Sequence, residues 1–300
     1  MTPLVSTVIP TYNRRDDVSI AVRTALAQTH ARQDIIVVDD GSTDGTREML
    51  EGAHGSRVQV LRTERLGVSG ARNRGMAAAQ GEYIALLDSD DEWLPGKLEA
   101  QVRFLEARPD YGMVLTDVAQ MNRERHTFDV LRRRDAIPED GNVLTYVLRQ
   151  PALVPSSVLF RRRVLDEVGM FDTSLPTAED LDFHLRVAVR WKIGVIPEAL
   201  TRAMRGHDGL SSLARTYSDY MNVLTRFVAD HPEIPESDRR AGLWAATLRN
   251  LRGLLVSGHT AEAWAVSLRA AASVRTPSEL FALAGMLPLA ARVVARQALR

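Results

Sequence analysis

Glu82-Tyr83-Ile84-Ala85-Leu86-Leu87-Asp88-Ser89-Asp90-Asp91-Glu92-Trp93-Leu94 is the stretch whose reading decides the fold. An apolar run, Tyr83 to Leu87, stops at three carboxylates within four positions. A short apolar run bounded by polar residues reads as a buried strand. In open α/β sheets ligands bind just beyond the carboxyl ends of the strands. Three like charges there repel unless something positive sits among them. A hard divalent cation held by oxygens and open to a diphosphate would relieve that repulsion. The same residues would also serve as an acidic loop capping the next helix, with Asp91 or Glu92 near its N-terminus.

Upstream, Leu4 to Ile9 reads as a first strand stopped by Pro10, followed by the loop Thr11-Tyr12-Asn13-Arg14 and a helix over about 16–28. Val18, Ala21, Val22, Ala25 and Leu26 share one face of that helix. Asp34 to Val38 reads as a second buried strand, running into Asp39-Asp40-Gly41-Ser42, and Thr43 or Asp44 can cap the helix that follows. Val58 to Leu61 makes a third strand, and Gly67 to Ala79 leads through a helix into the Tyr83 strand. Strands alternating with helices predict a parallel sheet with right-handed crossovers. Pro10-Thr11-Tyr12-Asn13 lacks the glycines of a dinucleotide-binding turn, although Asp39-Asp40 sits where a ribose-binding acid would, and no P-loop is present.

The chain has 300 residues, 45% of them hydrophobic, enough for one large domain or a domain with an extension. Its 38 basic and 38 acidic residues cancel, so no global nucleic-acid footprint is expected. Lys97 and Lys192 are the only lysines, and cysteine is absent, which excludes disulfides, thiolate metal sites and a cysteine nucleophile. The N-terminus enters a strand without a basic n-region or cleavage site, and no apolar stretch reaches the ~18 residues of a membrane span. The expectation is a soluble or peripheral protein in a reducing compartment, cytoplasmic or at the inner face of a membrane.

Four strings in order, Val8-Ile9-Pro10-Thr11-Tyr12-Asn13-Arg14, Val37-Val38-Asp39-Asp40-Gly41-Ser42, Ala71-Arg72-Asn73-x-Gly75 and Leu87-Asp88-Ser89-Asp90-Asp91, resemble the family 2 glycosyltransferases. Gly169-Met170-Phe171-Asp172 and Ala178-Glu179-Asp180-Leu181-Asp182-Phe183-x-Leu185-Arg186 continue the likeness, which covers roughly residues 4–210. The resemblance implies a GT-A fold: a mostly parallel central sheet flanked by helices, with an all-α C-terminal extension. It sets a glycosyltransferase domain at 1–210, its nucleotide-sugar-binding half at 1–118 and its acceptor half at 119–210, followed by helices over 211–300.

It further implies an inverting, metal-dependent enzyme taking a nucleoside-diphosphate sugar, UDP first, with dTDP or GDP as alternatives. Pro10, Thr11, Tyr12 and Asn13 would line the nucleoside, Tyr12 stacking on the base, and Asp40 or Asp39 accepting a base N–H. Asp88 and Ser89 would lie at the donor, and Arg72 would bind the diphosphate through its guanidinium fork. Asp90 is the first metal ligand, supported by Asp88 and by His207, for Mn2+ or Mg2+. Asp180 would be the general base on the acceptor hydroxyl. It and Asp182, two apart, cannot share a helix face.

Each of these residues also has a plain structural role open to it. Tyr12 can pack a loop, Arg72 can be a solvated helix arginine, Glu179-Asp180 can cap a helix, and His207 can be an exposed loop histidine. Asn73 reads as fixing a loop and Trp93 as core.

Residues 95–107 read as a helix begun by Pro95, Gly112 to Val118 and Ser156 to Phe160 as strands, and Arg161 to Val168 as a helix ended by Gly169. Residues 120–150 read as an exposed loop and helix, and Ile193 to Ile196 and Leu200 to Met204 as two further strands. Helices are expected near 212–229, 237–256, 260–273 and 277–298, the last carrying Arg292, Arg296 and Arg300 with no acid after Glu279. Such a basic amphipathic end can lie on an anionic membrane surface, while an Ala/Leu stripe more commonly packs on its own domain or on a homodimer partner. Processive synthesis is not expected: processive relatives carry a Gln-x-x-Arg-Trp motif, and the only Arg-Trp here, Arg190-Trp191, has Val187 where the glutamine should be. The acceptor is open among glycan, lipid-linked and small-molecule hydroxyls, in cell-surface glycan or natural-product synthesis. Two other readings are an idle sugar-nucleotide-binding scaffold and a sugar nucleotidyltransferase, the latter wanting a Gly-rich basic loop after the first strand.

Overall fold

The computed structural model describes residues 2–132, 137, 140–149, 153–205, 214–286 and 288–289. Two compact units are present: Met1–Val147 with Ala152–His207, and Leu148–Pro151 with Asp208–Arg300.

The first unit is built on one mixed sheet. Its strands are β1 (Val5–Thr11), β2 (Gln33–Asp39), β3 (Gln59–Arg62), β4 (Tyr83–Leu86), β5 (Glu92–Trp93), β6 (Tyr111–Met121), β7 (Thr127–Leu131), β8 (Val158–Arg161) and β9 (Lys192–Met204). Spatial order is β3-β2-β1-β4-β8-β6-β9-β5, with β7 added on β6. β1 to β4 run parallel, β8 is antiparallel to both neighbours, and β6 and β9 are parallel again. Val and Ile dominate β1 and β2, and their residues are buried almost throughout, as strands covered on both faces require.

Helices α1 (Arg15–Leu26), α2 (Thr46–His54), α3 (Gly67–Ala78), α4 (Lys97–Glu106), α5 (Leu144–Arg149, divided between the units after Val147), α6 (Val164–Val168) and α7 (Glu179–Arg190) complete the unit's elements. α1 buries Val18, Ala21, Val22 and Ala25, the face its spacing predicts. α3 lies close on β1 and β2: a Cβ at Gly75 would stand 2.3 Å from Val8 Cγ1. No larger residue fits there unless the helix moves away.

Three expectations change. Pro10 does not stop β1; it pairs in register with Val38, and Thr11 with Asp39. β4 pairs only with Val5–Val8, so the N–H that proline lacks is not needed by that neighbour. Residues 192–204 form one strand rather than two, with a shift of register between Thr116 and Val118 of its partner that absorbs the Pro197 region. Residues 127–131, expected as loop, form the hairpin strand β7.

The second unit contains α8 (Ala214–Asp230), α9 (Glu236–Val256), α10 (Thr260–Ser273) and α11 (Pro277–Ala284). Thr276 and Glu279 cap α11 reciprocally, and Pro277 opens it. No helix among the described residues is long and apolar enough to cross a membrane.

Candidate active site

The carboxyl ends of β1, β2 and β4 lie side by side, and the loops leaving them carry most of the candidate residues. Asn13 holds the first loop to the second: its N–H donates to Ser42 Oγ at 2.9 Å, and its Oδ1 accepts from Thr43 N at 2.8 Å. Its φ of 49° is one asparagine tolerates better than most residues. Asp39 Oδ1 accepts from Ser42 N at 3.0 Å, while Asp39 Oδ2 and Thr11 Oγ1 are buried with no hydrogen-bond partner. Asp40 is occupied by the loop ahead of α3, accepting from Thr63 Oγ1, Leu66 N and Gly67 N at 2.6–2.8 Å. Tyr12 is 36% exposed, and the Arg65 guanidinium lies over its ring at 4.6 Å. Asp44 accepts from Arg15 N and Thr46 N, tying together the starts of α1 and α2.

The β4 turn is compensated by arginine. Arg14, the last residue of the first loop, pairs with Asp90 Oδ2. Arg72, only 3% exposed, donates to Asp88 Oδ1 and to Glu179 Oε1, each at 2.7 Å. It is therefore not a solvated arginine. Burial works against its charge, but Asp88 and Glu179 outweigh that and hold it firmly protonated. The guanidinium also lies over Phe171, whose backbone exchanges two hydrogen bonds with Asn73, the loop-fixing role expected of that residue.

Asp91 points inward. Ser156 Oγ accepts from Asp88 N and donates to Asp91 Oδ2 at 2.6 Å, and Met204 N donates to Asp91 Oδ1. Burial first, and then the nearby Asp90 and Asp88 charges, push its carboxyl well above the ordinary range. Ser89 is buried in the same turn. Trp93 is core, its Nε1 donating to Ser156 O.

Across Arg72, α7 begins at Glu179, preceded by Ala178 at φ 64°. Asp182 is buried and turned to Arg186 one helical turn on, at 2.8–2.9 Å. Asp180 is the more open of the two. The Arg72–Glu179 pair therefore places the N-terminus of Asp180's helix beside the Asp88 turn. His207 lies outside the described residues.

Arg14 and Glu179 are the members that reading the sequence missed as site residues, although both stand inside the quoted motifs. Their partners lie 76 and 107 positions away, and one sequence carries no signal of such pairings.

No group of three acidic, histidine or cysteine side chains suited to a metal is found among the described residues. The oxygen donors of Asp88 and Asp90, on one turn with side chains 28% and 12% exposed, do fit a hard cation that takes its other ligands from phosphate and water.

A family model for glycosyl transferase family 2 matches residues 6–169, more than half the chain. The chain belongs to that family. Among its relatives, the putative teichuronic acid biosynthesis glycosyltransferase TuaG of Bacillus subtilis is 38% identical over 144 residues, 45% of this chain and 57% of that protein. An Escherichia coli protein described as a UDP-Glc:alpha-D-GlcNAc-diphosphoundecaprenol beta-1,3-glucosyltransferase, WfaP, is 40% identical over 104 residues, 34% of this chain and 41% of its own. An uncharacterized Mycobacterium tuberculosis protein, MT1568, is 31% identical over 263 residues, 81% of each. The match spans between 27% and 57% of the length of the first four curated relatives.

The fold is that of S. aureus TarS 1-349 in complex with UDP-GlcNAc: TM-score 0.67 at 20% identity, over 84% of this chain and 75% of that one. It is also that of the mannosyltransferase PcManGT from Pyrobaculum calidifontis in complex with GDP-Man and Mn2+, with TM-score 0.62 at 21% identity, over 98% and 83%. The GT-A-like α/β fold with C-terminal helices is thus established.

Proposed function

We propose that the chain is a non-processive, inverting glycosyltransferase that moves a sugar from a nucleoside-diphosphate sugar to an acceptor hydroxyl. The observation that carries this reading is the buried Arg72 bridge. It joins the Asp88-Ser89-Asp90 turn to the start of the helix bearing Asp180. A donor group and an acceptor group must meet across such a junction for one inline displacement. The nucleoside lies along Pro10–Asn13, with the Tyr12 ring under the base and the unsatisfied Asp39 Oδ2 and Thr11 Oγ1 beneath the loop. With Asp40 committed to the α3 loop, Asp39 is the carboxylate left for a base N–H, reached by a small shift of that loop.

Asp88 and Asp90 would hold Mn2+ or Mg2+, which bound to the diphosphate supplies Lewis-acid stabilisation of the leaving group. Asp180 takes the acceptor proton as the hydroxyl oxygen bonds to the anomeric carbon. The bond from that carbon to the diphosphate breaks on the opposite face, and the nucleoside diphosphate leaves. Arg72 acts on this by positioning Asp88 and Glu179 rather than by entering the pocket, since both its terminal nitrogens are engaged. The named activities of the TuaG and WfaP relatives favour cell-surface glycan synthesis, a UDP-sugar donor and a lipid-linked acceptor.

Thermal shift with UDP, GDP, dTDP and CMP, each with and without Mn2+, tests the reading, because binding to the folded state raises the midpoint by mass action. A shift with one diphosphate that needs the metal is expected. No shift with any of them would favour an idle scaffold.

A further inference from the structure

We infer that the outer face of α10, with the adjoining end of α9 and α11, docks on an anionic lipid surface. Among the described residues, the four most exposed large hydrophobic side chains, Phe281 (77%), Trp264 (69%), Val256 (67%) and Leu268 (65%), all fall between residues 256 and 281.

α10 reads Thr-Ala-Glu-Ala-Trp-Ala-Val-Ser-Leu-Arg-Ala-Ala-Ala-Ser. Its inner side buries Ala263, Val266 and Ala270, the first two clustered with Leu251, Leu254 and Leu255 of α9, with Leu283 of α11 packed on the same cluster. Its outer side repeats the chemistry at helical spacing: Ala261, Trp264, Ala265, Leu268, Ala271 and Ala272 are all exposed. A water-facing helix in a folded domain carries its polar residues outward, and one apolar on both sides lies against something apolar on both. On α11 the adjacent Leu280 and Phe281 are exposed in the same way.

Charge selects the occupant. Arg252, Arg269 and Arg275 are exposed in and around these helices, Arg275 with Glu236 3.5 Å from its guanidinium. Glu262 is the exposed acid of α10, while Glu279 is already taken by Arg240 at 2.7 Å and by the cap of α11. Beyond Glu279 the sequence has no acid; its Arg292, Arg296 and Arg300 lie outside the described residues. Apolar side chains with a tryptophan among them, rimmed by arginine, match the boundary between acyl chains and anionic headgroups. A second copy of the chain fits less well. An isologous pairing of this face would set Arg252 and Arg269 against their own copies, like charge against like.

The test is flotation of the full chain, without donor, on vesicles of phosphatidylcholine alone and of phosphatidylcholine with phosphatidylglycerol. Binding to the second is expected, about tenfold weaker on the first and at high salt. Trp264→Ser with Leu268→Ser should lower it about tenfold while the nucleotide-induced thermal shift stays unchanged. Arg269→Glu with Arg275→Glu should abolish the preference for phosphatidylglycerol. Absence of binding to either vesicle, or binding indifferent to both pairs of substitutions, would overturn the inference. So would a dimer in light scattering that the Trp264/Leu268 variant converts to monomer, since a second copy would then cover the face.

Discussion

Arg14, the residue before α1, is ion-paired with Asp90, the central carboxylate of the β4 turn, 76 positions later in the chain. The pair neutralises charge on that turn, and a cation held by Asp90, as proposed, would compete with Arg14 for the same carboxylate.

Removing the arginine should strengthen metal binding. In Arg14→Gln, the metal concentration giving half-maximal stabilisation by nucleoside diphosphate should fall by up to about fivefold. That is the equivalent of the ~1 kcal/mol upper range of a partly exposed pair. A Mn2+ titration of the thermal shift measures it, and a rise in the required concentration would mean that Arg14 helps hold the phosphates instead.

Asp180→Asn should retain the nucleotide-induced thermal shift and lose about 10²-fold or more in kcat, the loss expected of a general base. Asp182→Asn breaks a contact to Arg186 on the helix's own surface and should cost stability with much less effect on turnover. Steady-state kinetics of the two variants separate the roles. An active Asp180→Asn enzyme would move the base elsewhere.

Arg72→Ala should be among the most damaging single changes in the first unit. It strands the Glu179 carboxylate, 10% exposed, and uncouples Asp88. Breaking a buried pair from one side costs about 3–5 kcal/mol, so the midpoint should drop on the order of 10 °C. Arg47→Ala, which removes a surface pair to Glu51 with both side chains more than 40% exposed, should leave the midpoint nearly unchanged. Equal losses for the two would refute the account of Arg72.

The sequence made the first ninety residues legible because their strands are short apolar runs of Val, Ile and Leu ending at loops rich in Asp, Gly and Asn. The end of β1 misled because proline usually breaks a strand, yet here β1 outruns its neighbour β4 and needs no donor at Pro10. β7 escaped because its Phe128 and Val130 face solvent, so the alternation that marks a strand marks no buried face. The two residues of β5 pair only through β9, more than a hundred positions away. Within the site, Asp88, Asp90 and Asp180 stood out in the sequence as candidates, but not that Asp88 would meet Arg72 or Asp90 would meet Arg14. That is set by how α1, α3 and α7 converge on the sheet.

Lys97 supplies a prediction away from the site. At the start of α4 it is fully buried, its Nζ donating to Gln101 Oε1 at 2.8 Å and lying 4.1 Å from the centre of the Trp93 ring. Burial pushes the amine well below its ordinary value of 10.5. The unfolded chain then binds a proton that the folded chain does not, at every pH between the lowered value and 10.5. Over that window stability contributed by this position must rise with pH, by at most ~1.4 kcal/mol per unit, and the rise must end once unfolded lysine also loses its proton. Lys97→Met keeps the length of the side chain and removes the titration. Urea unfolding of both proteins from neutral pH upward should therefore show the difference between them shrinking or reversing in favour of lysine as pH increases. Parallel curves would mean that Lys97 stays charged on the face of Trp93.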